Sequence, residues 1–292
     1  MICTLCPHQC RAARDESNGH GRCRMPSLPR VARAATHFGE EPCISGERGS
    51  GTVFFSGCSL SCVFCQNHNI SHNDYGQTIS VDHLADIFKR LEDSGVHNIN
   101  LVNPTHYAHV IRPALEKAHL RVPILYNSSG YERVETLRSL EGLIDIYLPD
   151  YKYADDLLAE SLSHVSHYRD TALAAIEEML RQTGHLHIEN GLAVRGTMVR
   201  HLVLPGHTRN SLQALSELVD AFTNRLWISL LFQYTPVREL PDKALNRVLT
   251  ARECQKVFDR LCELGAENGY VQDRSSATDT FIPTFDLTGI EP

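Results

Sequence analysis

GTVFFSGCSLSCVFCQNHNIS, residues 51–71, decides how this chain is read. GTVFF is an apolar run of strand length. Directly after it, Cys58, Cys62 and Cys65 follow at C-x3-C-x2-C spacing. Thiolate is the soft ligand that iron-sulfur centres and zinc prefer. Three thiolates on one short loop can ligate three irons of a 4Fe-4S cube and leave the fourth iron without a protein ligand. Cys62 and Cys65 are close enough to bite adjacent irons, and the longer gap lets Cys58 reach the third. The competing reading is structural zinc held by the same three cysteines and a fourth residue such as His68.

With aromatic Phe64 just before the last cysteine, the triplet resembles the signature of the radical S-adenosylmethionine enzymes. That resemblance implies that the amino and carboxylate groups of S-adenosylmethionine chelate the open iron. One electron from the reduced cluster then gives methionine and a 5′-deoxyadenosyl radical.

Outward from the triplet, short apolar runs alternate with helical stretches. Residues 80–94 place Leu84, Ile87, Phe88 and Leu91 on one stripe, with Ser80 as N-cap and Gly95 as stop. Further strands are expected at 97–102, 122–127, 143–149, 196–205 and 226–234, with a last strand or extended segment at 269–273. Helices are expected near 107–119, 131–140, 154–163, 167–182, 211–224 (capped by Asn210) and 244–264. This alternation predicts a mostly parallel sheet with crossover helices. Periodicity alone does not separate a doubly wound sheet from a barrel. The resemblance does, implying an α/β fold: a partial (β/α)6 barrel with active groups at the C-terminal ends of its strands. Residues 1–49, rich in cysteine, glycine and arginine and with little period, form a cysteine-rich N-terminal extension. Residues 50–275 form the barrel, and 276–292 form a tail packing on it.

At 292 residues the chain can bury a full core, and 42% hydrophobic with 22% charged residues describes an ordinary globular protein. A net charge of −7 without a basic run argues against broad nucleic-acid backbone binding. No secretory signal pattern and no apolar stretch of membrane-spanning length stand out, so no membrane is expected and the location is read as cytoplasmic. Eight of the ten cysteines fall in the first 65 residues at ligand spacings, which suits a reducing compartment. Cys254 and Cys262 read as isolated thiols.

A closer resemblance, over the whole chain, is to the pyruvate formate-lyase activating enzyme branch and its PflX-like members. It rests on residues 37–71, NLVNPTHY (100–107), YNSSGYE (126–132), DIYLPDYKY (145–153), VRHLVLPG (199–206), LLFQYTPV (230–237) and NGYVQD (268–273). Activating enzymes carry Gly-Gly-Glu after the second strand, where this chain has Asn103-Pro104-Thr105-His106. Thr105 can still contact an ammonium group, and His106 either reaches the chamber or caps the next helix. Asn127 and Ser129, at the tip of the third strand, are candidates to orient the cofactor. Asp150 and Lys152 match the Asp-x-Lys motif, in which lysine engages the cofactor carboxylate. Arg200 matches the arginine before Val-Pro-Gly, and a planar donor fork suits a carboxylate. Glu189 is a candidate for the ribose hydroxyls, and Tyr234 for a radical relay or hydrogen donor.

Cys3, Cys6, Cys10 and Cys23, at C-x2-C-x3-C-x12-C, suggest zinc or an auxiliary iron-sulfur cluster. The expected chemistry is reductive cleavage of S-adenosylmethionine followed by hydrogen-atom abstraction, with flavodoxin or ferredoxin as electron donor. The target is a glycyl radical enzyme, or alternatively a small molecule or peptide. A non-catalytic iron-sulfur scaffold is the third reading.

Overall fold

The computed structural model describes residues 1–223, 225–278 and 282–291. Among these, ten strands form one sheet: β1 (Arg30–His37), β2 (Ser50–Phe55), β3 (Gln77–Thr78), β4 (Ile99–Val102), β5 (Ile124–Ser128), β6 (Ile146–Pro149), β7 (His187–Glu189), β8 (Leu192–Leu202), β9 (Trp227–Leu231) and β10 (Gly269–Val271). The order is β10-β9-β8-β6-β5-β4-β2-β1-β3, with β7 attached to β8. From β2 to β10 every step along that path is parallel. Parallel strands covered on both faces read as continuous apolar runs, and every residue of β2 is buried. β10 ends one edge and β3 the other, so the sheet is curved but only partly closed. A single cavity touches side chains from β2, β4, β5, β8, β9 and β10.

The crossover helices are α3 (Val81–Asp93), α4 (Ala108–Ala118), α5 (Val134–Arg138), α6 (Asp156–Ser163), α7 (Tyr168–Thr183) and α8 (Thr208–Phe222). α9 (Ala251–Glu263) precedes β10, and two single-turn helices, α1 (Pro42–Ser45) and α2 (His68–Ser71), flank β2. In α3 the Ser80 hydroxyl accepts from the His83 N–H, and Leu84, Ile87, Phe88 and Leu91 face the core. Thr250 and Glu253 cap α9 reciprocally. Asn210 is not the cap expected of it. α8 begins two residues earlier, and the buried Asn210 amide accepts from Ala154 N–H and donates to the Lys152 carbonyl, both at 2.9 Å. It fixes the loop that carries Lys152.

β1 lies in the segment where no period was visible. It pairs antiparallel with β2, Ala34 opposite Val53 and His37 opposite Ser50. Its arginines, Arg30 and Arg33, break the apolar alternation, so its strand state comes from the partner strand rather than from local pattern. Residues 282–291 of the tail follow β1: Leu287 N–H donates to Ala32 O at 3.1 Å, Ala34 N–H donates to Thr288 O at 2.9 Å, and Ile290 is fully buried. Residues 279–281 and 292 of the expected tail lie outside the described residues.

Between β5 and α5 sits a buried carboxylic acid, Glu132. It accepts from the Thr105 hydroxyl at 2.6 Å and the Tyr126 hydroxyl at 3.1 Å. Burial pushes its pKa from 4.5 up to about 7 against these hydrogen bonds. A raised carboxylate pKa means that the folded state holds the proton more tightly. This contribution to stability is full below about pH 4.5 and is lost as pH rises toward 7. Chemical denaturation across that window should show stability falling by at most about 1.4 kcal/mol per pH unit from this group. Glu132→Gln should flatten the slope, and an unchanged slope would remove Glu132 as its source.

Candidate active site

The cysteine loop leaves β2 through Ser56 and Gly57. Gly57 has φ +80°, and a Cβ there would meet Met25 Cγ at 2.2 Å, so the turn requires glycine. Three sulfurs follow, each with its own donor. Leu60 N–H points at Cys58 Sγ (3.3 Å), the Ser163 hydroxyl at Cys62 Sγ (2.9 Å) and the Ser71 hydroxyl at Cys65 Sγ (3.3 Å). Tyr153 and Ser163 share a hydrogen bond of 2.6 Å behind Cys62. Burial pushes the Cys62 thiol up to about 12. A cation must therefore displace its proton before it can act as a thiolate.

All ten cysteines are free. Among the described residues no group of three or more His, Cys, Asp or Glu side chains gathers around a point as a single metal ion requires. His68, the candidate fourth zinc ligand, stacks on His72 at 4.3 Å and meets Arg238 instead. Three thiols on one loop, opening onto one cavity, are the soft donor set that an iron-sulfur cluster takes.

Cys58, Cys62 and Cys65 face a cavity of about 310 Å³. Asn127, Ser129, Asp150 and Lys152 line it beside them. Lys152 Nζ is paired with Asp150. Burial works against the Lys152 charge, but the Asp150 carboxylate outweighs it and holds its pKa up at about 12. The Ser129 hydroxyl is buried without a hydrogen-bond partner among the described residues. An unpaired hydroxyl, a fixed ammonium group and an amide next to three thiols fit the polar, zwitterionic end of S-adenosylmethionine.

Arg200 also lines the cavity, but its donors are engaged. Nε and Nη2 reach the Glu41 carboxylate at 2.8 and 2.5 Å, Nη2 also reaches Glu40, and Nη1 lies 3.5 Å from Asn127 Oδ1. Burial opposes the Glu41 charge, yet Arg200 holds its carboxyl below the usual range. Glu40 accepts further from Asn100 Nδ2 at 2.7 Å. Glu40 and Glu41 were missed in the sequence. An adjacent acidic pair before proline looks like a solvated turn, and the only hint was its place within the 37–71 stretch.

Several expected site residues stand elsewhere. The Thr105 hydroxyl is turned to Glu132, behind the strand tips rather than in the cavity. His106 is buried, and Nε2 binds the Ser56 carbonyl at 2.7 Å. Burial pushes His106 down to about 3, so it is a neutral strut under the cysteine loop, not a proton donor in the chamber. Glu189 is exposed on the β7–β8 hairpin and pairs with His187 at 3.0 Å. Tyr234 does line the cavity, but its hydroxyl donates to Leu245 O at 2.7 Å, so the ring forms the wall.

The first 29 residues brace this loop from outside. His8 Nε2 lies 2.8 Å from Ser59 O, and Arg22 donates to Leu60 O at 3.0 Å. Buried Arg14 donates to His106 O at 2.8 Å. Cys3, Cys6 and Cys23 are within electrostatic reach of one another, Cys10 is within reach of Cys23, and burial pushes the Cys6 thiol up to about 12. Cys43 is buried in a separate apolar cluster.

Hydrogen bonds to cluster sulfurs stabilise the reduced, more negative state. Ser163→Ala should therefore lower the potential of the reconstituted cluster by roughly 40 mV, the equivalent of one net hydrogen bond. Spectroelectrochemistry on the anaerobic protein reads it, and an unchanged potential would mean that Ser163 does not tune Cys62.

Residues 52–219 match the family model described as the Radical SAM superfamily. An uncharacterised protein of Methanocaldococcus jannaschii is 30% identical over 269 residues, which cover 88% of this chain and 73% of that protein. Among solved structures, Streptococcus suis SuiB bound to S-adenosylmethionine is similar in fold, with a TM-score of 0.52 at 12% identity over 74% of this chain. The match covers 48% of SuiB, so this chain spans about half its length. SuiB bound to its precursor peptide SuiA gives 0.50 at 14% identity, over 74% of this chain and 47% of that one. With the cysteine triplet, the parallel sheet and a family match over more than half its length, the chain belongs to the radical SAM superfamily.

Proposed function

We propose that this protein reductively cleaves S-adenosylmethionine and abstracts a hydrogen atom from a substrate held in the cavity. The observation that carries the reading is three sulfurs with individual donors, opening onto a chamber that also contains the Lys152–Asp150 pair. A scaffold or storage module would have no use for such a chamber. When bound, the cluster and S-adenosylmethionine supply one-electron cleavage and hydrogen abstraction. Cys58, Cys62 and Cys65 hold the cluster. Lys152 binds the cofactor carboxylate, and Asp150 keeps that ammonium group charged and in place. Asn127 and Ser129 orient the polar end by hydrogen bonds. Leu60, Phe64, Leu202, Leu231 and the Tyr234 ring form walls that keep water out.

The charged floor formed by Glu40, Glu41 and Arg200 favours a small molecule or a short peptide group as hydrogen donor. Activation of a glycyl radical enzyme is the second reading. It is favoured by Asp150-Tyr151-Lys152 and by the resemblance to the activating-enzyme branch, near its PflX-like members. An electron donor such as flavodoxin or ferredoxin and a cytoplasmic location accord with ten unpaired cysteines. No helix among the described residues is long and apolar enough to cross a membrane. Cys3, Cys6, Cys10 and Cys23 are proposed to hold zinc or an auxiliary cluster, drawing together around it.

Anaerobically reconstituted protein with dithionite and S-adenosylmethionine should yield methionine and 5′-deoxyadenosine. Cys62→Ala should abolish both products and the cluster absorbance, and Lys152→Ala should cut the rate at least tenfold. Deuterium transferred from a candidate substrate into 5′-deoxyadenosine would identify the donor. Wild-type protein with a full iron and sulfide complement that gives neither product would overturn the proposal. Iron and zinc content in Cys6→Ala separates the amino-terminal alternatives: loss of zinc alone identifies zinc, and loss of about four irons identifies a cluster.

A further inference from the structure

Cleavage of S-adenosylmethionine needs one electron delivered from outside the chain, and the cysteine loop has an outer face that carries three exposed arginines. The turn at residues 21–24, closed by Arg24 N–H donating to Gly21 O at 3.0 Å, presents two of them. Arg22 donates to Leu60 O at 3.0 Å, and Arg24 donates to His72 O. Arg238 arrives from the segment after β9 and donates to Val63 O at 2.7 Å. Leu60 stands between Cys58 and Cys62, and Val63 between Cys62 and Cys65. These guanidinium groups touch the loop itself, so a partner that pairs with them is brought against the backbone that carries the sulfurs. Electron tunnelling falls steeply with distance, which makes this face the short way in.

None of the three arginines meets a carboxylate at ion-pair distance among the described residues, and Glu239, next in sequence to Arg238, pairs with none of them. Exposed arginines elsewhere do find such partners, as in Arg112–Glu116 at 2.8 Å and Arg247–Glu253 at 2.7 Å. Over the cysteine loop the acceptors are neutral carbonyls and an imidazole, which leave the positive charge uncancelled. On a chain of net charge −7 that is a local reversal of sign.

Between Arg24 and Arg238 lie His68 and His72, stacked at 4.3 Å with their planes 10° apart. Arg238 Nη1 is 2.5 Å from His68 Nε2. Burial and then Arg238 push His68 down, and burial with His68 and the two arginines pushes His72 down. The rings are therefore neutral near pH 7, and the arginines carry the charge. A positive rim around a flat, uncharged ring pair suits an anionic partner, steered by charge and seated by shape.

We propose that this face is the docking surface for an acidic one-electron carrier protein, with Arg22, Arg24 and Arg238 as its charge contacts. The proposal rests on the function argued above and adds the place and the charge of the partner. One electron leaves the reduced carrier and enters the oxidised cluster, and no bond is made or broken. Three cations on a chain of net charge −7 are a poor match for a nucleic-acid backbone.

The test uses the reconstituted protein with an acidic flavodoxin and an acidic ferredoxin as probes. Binding of the oxidised carriers, read by fluorescence anisotropy of a labelled carrier, should weaken about tenfold as salt rises from about 50 to 300 mM. The triple variant Arg22→Gln, Arg24→Gln, Arg238→Gln removes the charges but keeps an amide donor for each carbonyl. Its affinity at low salt should fall at least tenfold, and bleaching of the cluster absorbance by the reduced carrier, per cluster, should slow by as much. Arg22→Lys, Arg24→Lys, Arg238→Lys should restore most of the affinity. Arg209→Gln, Arg252→Gln, Lys256→Gln, which discharges the groove between α8 and α9, should change neither reading. No binding of either carrier, wild-type binding by the glutamine triple variant, an equal loss from the groove variant, or tighter binding of an RNA of about 20 nucleotides through the same arginines would each overturn the proposal. If the triple variant does not hold its cluster, Arg238→Gln alone decides, a few-fold loss supporting the proposal and no loss overturning it. Dithionite reduces the cluster without docking, so failure to cleave S-adenosylmethionine with dithionite would sink the functional reading separately.

Discussion

The site depends on how a guanidinium group inside a parallel sheet is neutralised. Arg200 lies on β8 with its side chain in the interior, where desolvation strongly opposes charge. A buried ion is tolerated only when partners of good geometry surround it, and stripping one partner from such a set typically costs about 3–5 kcal/mol. Glu41 supplies the bidentate match, and Glu40 with the amides of Asn100 and Asn127 completes the shell. That requirement pulls the β1–α1 turn under β8 and joins the amino-terminal segment to the middle of the sheet. The chamber floor, its charge and the anchoring of β1 all follow from it.

Support for the cysteine loop is distributed over parts of the chain far apart in sequence. From the interior, neutral His106 holds Ser56. From the outside, His8, Arg22 and Arg24 reach carbonyls of Ser59, Leu60 and His72, and Arg238 reaches Val63 O. Backbone carbonyls that would otherwise face solvent or one another are tied to side-chain donors. The loop geometry is therefore set before any ligand arrives, which is what preorganisation requires.

What could be read from the sequence was what is encoded locally. Apolar runs such as VFF and ILY mark parallel strands covered on both faces, and α3 carries its cap and its stripe within fifteen residues. The cysteine triplet is legible because ligand spacing is a property of one loop. β1 was hidden because Arg30 and Arg33 interrupt its pattern and its strand state comes from β2. Glu40 and Glu41 were hidden because their partner is about 160 residues away in the chain. For Thr105, His106 and Glu189, nearness to a strand end gave a neighbourhood but not a direction. Thr105 turns to Glu132, His106 turns beneath Ser56, and Glu189 belongs to an exposed hairpin. Asn210 looked like a cap by position and serves instead as a bridge to the Lys152 loop.

The carboxy-terminal segment has two duties that pull against each other. Leu287 and Thr288 occupy the outer hydrogen-bonding groups of β1, while Ile282 and Pro283 a few residues earlier wall the chamber. Lifting this strip to widen the entrance would bare an unpaired strand border, a template for pairing with another chain. Any ligand that entered by displacing it would work against that exposure, which couples access from this side to protection against self-association.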